Sequence, residues 1–435
     1  MPDEEMTPVA GERDRRQEPL PSVEFARALV ADRALCPSTV GTVGLELEGH
    51  LVDRRDLRRR VSWTEVTRLV DLVEDLPRGS RISVEPGGQL ELSTKPAADL
   101  GGAVAALRDD ERALRQLLRE EGYGLAFVGL DPLRPGELVN PAPRYAAMTR
   151  YFDRFGCGTA GRLIMASSAG LQLNLEAGPR EKWEQRLGRI SRLGPLLGAM
   201  SACSPMAAGQ SSGWSSMRQQ GWSAIDPART APVTFGGDPA VAWADYALSA
   251  PVMMIRVEAE LADPSAATKH PPGGIDDPPP GLSFSDWVRR PDRVGRPPTT
   301  SDLEYHLTTL FPPIRPRGYL ELRFLDAVPM TLWPGLAAIV GTLCDHPTAS
   351  DRAAELIEPL ALSWHHAAKV GLDDPELHRV AVACADVAVD HCPNDLRADT
   401  VAYAELLTAS RTPGDHLRSA AGGDGRRLLE EALDA

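Results

Sequence analysis

Four stretches of this chain alternate apolar and polar residues without interruption, and that alternation restricts the fold more than any other feature. Successive side chains of a strand point to opposite faces. In Val43-Gly-Leu-Glu-Leu-Glu-Gly-His50, the residues Val43, Leu45 and Leu47 share one face, and Glu46, Glu48 and His50 share the other. In Gln89-Leu-Glu-Leu-Ser93, Leu90 and Leu92 oppose Gln89, Glu91 and Ser93. Leu171-Gln-Leu-Asn-Leu-Glu176 groups Gln172, Asn174 and Glu176, and Tyr319-Leu-Glu-Leu-Arg-Phe324 sets Glu321 and Arg323 against Leu320, Leu322 and Phe324. The pattern predicts one antiparallel sheet with one face covered by helices.

The polar residues of the uncovered face carry the chemistry. A face turned to water mixes Thr, Lys, Arg and Glu, because like charges placed side by side repel. The first strand instead offers two glutamates and a histidine with no basic residue on that face, and Glu85 and Glu91 bracket the turn Pro86-Gly-Gly-Gln89. If the strands are neighbours, Glu46, Glu48, Glu85, Glu91 and Glu321 converge on one hollow, where so many carboxylates need a cation. Oxygen ligands without Cys point to a hard ion, Mg²⁺ or Mn²⁺. Substrate phosphates commonly complete the shell of Mg²⁺, which suggests a nucleoside triphosphate. Arg323, beside Glu321, suits the charge on a transferring phosphoryl group. For any one strand alone an ordinary solvated face explains the acids better; the four segments together reverse that preference.

Other routes to nucleotide or metalloprotease chemistry are missing. The chain has no GxxxxGK[ST], no GxGxxG after a strand and no HExxH. His365 and His366 fall in a helical run and read as surface or packing residues, and His50 reads as a structural histidine.

Helical spacing marks Ser22 to Asp32, Trp63 to Leu76, Leu100 to Glu121, Tyr145 to Phe152 and Lys182 to Met200, and the Ala-rich region from Leu332 onward. Residues 1 to about 20 read as a disordered leader. Residues 263–298, with HPPGG, DDPPPG and GRPP, read as a long surface loop broken by Leu282 to Val288, either a covering element or a tolerated insertion. The expectation is one catalytic domain over residues 21–415, its part 332–415 helical, followed by a fraying Gly-rich tail at 416–435.

With 43% hydrophobic and 25% charged residues the chain can bury a substantial core, and a net charge of −14 disfavours nucleic acid or an anionic membrane as the main partner. Lys occurs only at Lys95, Lys182, Lys269 and Lys369, so Arg is the background cation. The six cysteines are scattered without a CxxC pair, which fits neither a disulfide framework nor a zinc site. With no signal-like or membrane-spanning apolar run, a cytoplasmic protein is expected, as a monomer.

The order GLELEGH (44–50), EPGGQLELST (85–94), PRYAAMTRYF (143–152), LQLNLEAG (171–178), SMRQQGW (216–222), ADYALSAPVM (244–253) and YHLTTLFPPIRPRGYLELRFLD (305–326) resembles the plant and bacterial glutamate–cysteine ligases, most closely the bacterial members serving ergothioneine biosynthesis. The resemblance spans roughly Val43 to Pro329. It implies a glutamine-synthetase-like α+β fold: an antiparallel sheet curved into a funnel, helices outside and metals inside. It also implies that the glutamate γ-carboxylate attacks the γ-phosphorus of ATP and that the cysteine amine opens the acyl phosphate, giving γ-glutamylcysteine, ADP and phosphate.

By the same resemblance, Glu46, Glu48, Glu85, Glu91 and Glu321 are metal ligands, with Glu321 and Arg323 catalytic. Gln172, Asn174 and Arg323 bind ATP, Arg218 and Arg229 hold substrate carboxylates, and Met165, Trp222 and Tyr246 wall the pocket. Two departures stand out: Ala202-Cys-Ser-Pro205 replaces the family's frequent ANSP, and the regulatory disulfides of the plant enzymes have no evident counterpart. A related carboxylate–amine ligase with another amine or acid is the main alternative; a non-catalytic sensor of ATP or glutamate would be expected to have lost part of the acid set.

Overall fold

The computed structural model describes residues 17–257, 274–360 and 362–434. The expected leader lies outside the described residues apart from 17–20, as do residues 263–273 of the Pro-rich stretch. Leu20 is buried and its amide donates to Pro298 O at 2.9 Å, so ordered structure starts ahead of Val23.

The alternating segments are strands of one antiparallel, seven-stranded sheet. Its members are β1 (Val43–Asp53), β2 (Arg81–Val84), β3 (Leu90–Ser93), β4 (Tyr123–Ala126), β5 (Gly170–Leu175), β6 (Ile314–Pro316) and β7 (Leu320–Asp326). The order is β6-β7-β5-β1-β3-β2, with β4 pairing the far half of β1. β1 is thus central, with β5 paired along Val43 to Leu47 and β3 along Glu46 to Gly49.

The apolar faces of these strands, Leu45, Leu47, Leu92, Leu171, Leu173, Leu320 and Leu322, are almost completely buried. The helices Leu100–Glu120, Trp183–Met200 and Trp333–Asp345 cover them. Each such leucine contributes about 1.5–3 kcal/mol by leaving water. The helix Leu100–Glu120 is set by Asp99, whose carboxylate caps the Gly102 amide at 2.7 Å.

The turn that links β2 to β3 is drawn tight, with Glu85 N donating to Gln89 O at 2.8 Å. Gly88 there has φ +83°, which a side chain rarely tolerates, and a Cβ on Gly87 would lie 2.2 Å from Ala166 O. Glycine is required at both positions to press this turn onto the helix Gly158–Ser167.

On β7 the pairing with β5 shifts register between Leu322 and Leu325. Such a bulge bends its strand and releases backbone groups from the ladder. The released carbonyls are taken by the helix Met217–Ser223: Arg218 Nη2 donates to Arg323 O at 3.2 Å, Gln219 Nε2 to Phe324 O at 2.5 Å, and Arg218 Nη1 to Leu325 O at 3.1 Å.

The expected tail at 416–435 is corrected by the structure. Residues Pro413–Ala421 and Gly425–Asp434 are helices. Leu428, Leu429 and Leu433 are buried, and Arg115 holds the Leu433 carbonyl at 2.7 Å. The helical spacing of these leucines outweighs the preceding glycines. Residues Phe284–Arg289 of the Pro-rich stretch also form a helix.

Candidate active site

A cavity of about 870 Å³ opens on the polar face of the sheet. Glu46 and Glu48 reach it from β1, Glu91 from β3 and Glu85 from the β2–β3 turn. Glu48 and Glu91 are direct cross-strand partners, and Glu46 stands opposite Gln172 of β5. Gln172, Arg323, Arg218, Met165 and Trp222 also line the cavity, so most residues nominated from sequence meet in one place.

The carboxylates are held by short polar contacts. Glu48 accepts from Gly170 N at 2.7 Å and Gln172 Nε2 at 3.1 Å. Glu46 accepts from Asn174 Nδ2 at 3.0 Å. Glu91 accepts from Ser83 Oγ at 2.8 Å and Ser93 Oγ at 3.1 Å. These contacts do not offset the crowding of charge. Burial, with Glu91 and Glu48 nearby, pushes the Glu85 carboxyl up to about 8; burial, with Glu91 and Glu321, pushes Glu46 up to about 6. Burial also raises Glu48, with Arg218 and Arg323 opposing it.

Carboxylates destabilised in this way fit a divalent cation, which would favour their charged forms. Among the described residues, however, no group of three or more His, Cys, Asp or Glu is arranged to hold a metal ion. The acids share a chamber, and an ion held by three or more of them would have to draw their side chains together.

Glu321 is the nominated ligand that the structure turns elsewhere. It does not line the cavity. Arg315 clasps it at 2.5 and 3.0 Å, Arg323 donates at 3.1 Å and Arg317 at 3.5 Å. Burial would raise its pKa, but Arg315 and Arg323 hold it well below the usual carboxylate range. Ligation by Glu321 therefore requires it to exchange guanidinium for metal. Arg323, braced also by Gln172 at 3.0 Å, leaves its buried Nε without a partner.

Three further nominated residues lie off the cavity wall. Arg229 is fully buried behind the cavity, not on its wall. It pairs with Asp226 at 3.1 Å, donates to Thr309 O and Tyr151 Oη and also holds Pro251 O. A guanidinium so engaged is a structural cross-link. Tyr246 is not on the wall either; Trp243, one turn earlier on the helix Pro239–Ser249 and stacked on Tyr246, is. Asn174 acts on Glu46 rather than lining the chamber. His50 points to Val128 O at 3.0 Å, and burial pushes it down to about 4, as suits a neutral structural ring.

The sequence reading missed Arg144, Tyr145, Arg256, Tyr305, Arg315 and Arg317, all on the cavity wall. Arg144 and Arg256 lie 5.0 and 4.5 Å from the Tyr305 ring centroid. Arg315 alternates with Arg317 just before YLELR, a signal that the Arg-rich background obscured.

A sheet-floored chamber with clustered carboxylates and opposing guanidiniums is the equipment of an enzyme, and its class is a ligase. Residues 42–420 match the model of the glutamate-cysteine ligase family 2 (GCS2), and the chain belongs to that family. It is 42% identical over 397 residues to the glutamate–cysteine ligase EgtA of Mycolicibacterium smegmatis, covering 91% of this chain and 90% of that one. It is 43% identical to EgtA of Mycobacterium tuberculosis over 85% of this chain and 84% of the relative. The chloroplastic glutamate–cysteine ligase of Medicago truncatula is 29% identical over 66% of this chain and 55% of its own length. Among the described residues no helix is long and apolar enough to cross a membrane.

Proposed function

We propose that this protein joins the γ-carboxylate of L-glutamate to the amine of L-cysteine in an ATP- and Mg²⁺-dependent reaction. One observation carries the reading: Glu46, Glu48, Glu85 and Glu91 line the same cavity as Arg218 and Arg323. The family and its EgtA relatives support glutamate and cysteine as the substrates. The product would then be γ-glutamylcysteine, the thiol precursor that an ergothioneine pathway can draw on.

In this reading Glu46, Glu48, Glu85 and Glu91 would hold Mg²⁺ or Mn²⁺, and Glu321 would join them if it left its arginines. The bound ion would neutralise the triphosphate and favour the charged forms of the carboxylates. Arg323 and Gln172 face the transferring phosphoryl group, where a fixed guanidinium stabilises charge that develops in the transition state. Asn174 fixes Glu46. Arg218 holds the glutamate α-carboxylate, and Met165 and Trp222 shape the wall. The γ-carboxylate oxygen bonds to the γ-phosphorus as ADP leaves, and the amine nitrogen then displaces phosphate from the acyl carbon.

A coupled assay of ADP release with each substrate omitted in turn, followed by mass identification of the product, tests this. Release that requires ATP, L-glutamate and L-cysteine together is expected. Turnover with another amine and none with cysteine would transfer the site to a related carboxylate–amine ligase.

A further inference from the structure

Five residues of the cavity wall each carry a buried polar atom without a partner: Arg218 Nε, Arg256 Nε, Arg323 Nε and Trp222 Nε1 are donors, and Gln89 Oε1 is the one acceptor among them. Gln89 is 2% exposed, and its Nε2 donates to Ser168 O at 2.8 Å. A carbonyl accepts only a donor, so this bond fixes which way round the amide sits and leaves Oε1 as an acceptor on the cavity wall. Arg218, also 2% exposed, is seated by the bulge carbonyls and lies over Gly170, where an added Cβ would meet its Nη2 at 2.4 Å.

Gln89 is thus anchored on Ser168 and Arg218 packs against Gly170, so both groups meet the same three residues, 168–170, at the start of β5. Gly170 N also holds Glu48. The site thus presents a cation with an unused donor and, on the same short segment, a fixed acceptor among Glu48, Glu85 and Glu91. Leaving a buried acceptor unpaired is costly, which suits a group that a ligand is to satisfy. An acceptor in an acidic neighbourhood favours a positively charged donor.

We infer that Gln89 Oε1 receives the α-ammonium of the acid substrate while Arg218 holds its α-carboxylate, so that the two together select an α-amino acid head group. The inference rests on the ligase reading and extends it to the choice of acid. The amine of the second substrate is not the partner, because it must stay free to attack at the far end, where Arg323 faces the phosphoryl group.

The test compares L-glutamate with glutarate, which keeps both carboxylates and lacks the ammonium. With the full-length protein, Mg²⁺, ATP and cysteine, the KM for glutamate and the inhibition constant of glutarate are measured for wild type and Gln89→Met, and their ratio gives the preference. Wild type should favour glutamate about 10- to 100-fold, the range for a hydrogen bond to a charged group, and Q89M should bring that preference close to unity through lost glutamate affinity. If Q89M does not fold, Gln89→Asn, which withdraws the carbonyl by one methylene, carries the same comparison. An unchanged preference in the variant, equal weakening of both acids, or a changed Mg²⁺ requirement with the preference intact would overturn the inference. Normal wild-type turnover alongside any of those results overturns it alone, whereas no glutamate-dependent ADP release in wild type removes the ligase reading beneath it.

Discussion

Glu48 and Glu91 are direct cross-strand partners on β1 and β3, two like charges where antiparallel pairing favours opposite ones. The protein keeps this unfavourable pair inside the cavity of about 870 Å³, which makes sense if a cation is meant to reside there. Mg²⁺ should then stabilise the fold by mass action, by about 2.7 kcal/mol at a hundredfold excess over its dissociation constant. Differential scanning fluorimetry with and without MgCl₂ should show a higher midpoint with the ion. Glu91→Gln should lose most of that increment while being no less stable than wild type without metal. Equal midpoints with and without the ion would refute the assignment.

Glu48→Gln removes one negative charge but keeps the shape that Gly170 and Gln172 contact. Its kcat/KM should fall about 100-fold or more, the scale seen when a charge-stabilising group is lost from an active site. Turnover at the wild-type rate would remove Glu48 from the metal site.

The raised carboxyls Glu46 and Glu85 make a pH prediction with a definite sign. Their folded values, about 6 and about 8, lie above the ordinary 4.5, so on raising the pH the unfolded chain releases these protons first. Stability of the metal-free protein from this source is complete below about pH 4.5, declines as the pH rises, and is gone above about pH 8. Mg²⁺ affinity should rise over the same interval, because the ion competes with protons. Urea denaturation and metal titration between pH 5 and 8 measure both; Glu85→Gln should flatten the upper part of each curve.

Arg218 and Arg229 should respond in opposite ways. Arg218→Lys replaces a planar fork with a point charge, so KM for glutamate should rise about tenfold or more while KM for ATP changes little. Arg229→Met leaves Asp226 without its buried partner and should cost about 3–5 kcal/mol in urea denaturation, with the KM for glutamate of the folded fraction unchanged. A selective rise in glutamate KM for R229M would return Arg229 to the substrate.

How far the site could be read from the chain depended on the kind of signal. Alternation is a local property, so Glu46, Glu48, Glu91, Gln172 and the sheet itself were visible in single segments. The partners of a side chain are not local. Arg218 and Arg229 sit in similar short helices eleven residues apart in number, yet one meets the cavity and the other a buried carboxylate, and nothing in DPART distinguishes them. The bulge between Leu322 and Leu325 shows in the sequence only as the adjacent apolar pair Phe324-Leu325, where the alternation changes phase, and it decides where Arg218 can sit. Tyr246 was misplaced by one helical turn relative to Trp243. The helix Gly425–Asp434 was hidden because GGDG drew attention from the leucines behind it.

The central position of β1 has a consequence for how the protein is made. Its partners on either side, residues 90–93 and 170–175, come later in the chain, and β7, which carries Arg323, comes later still. A ribosome must therefore release residue 326 before any catalytic chamber can close, and truncated products should bind neither nucleotide nor amino acid. Contacts so distant in sequence also predict slow refolding, with activity returning only in the last kinetic phase.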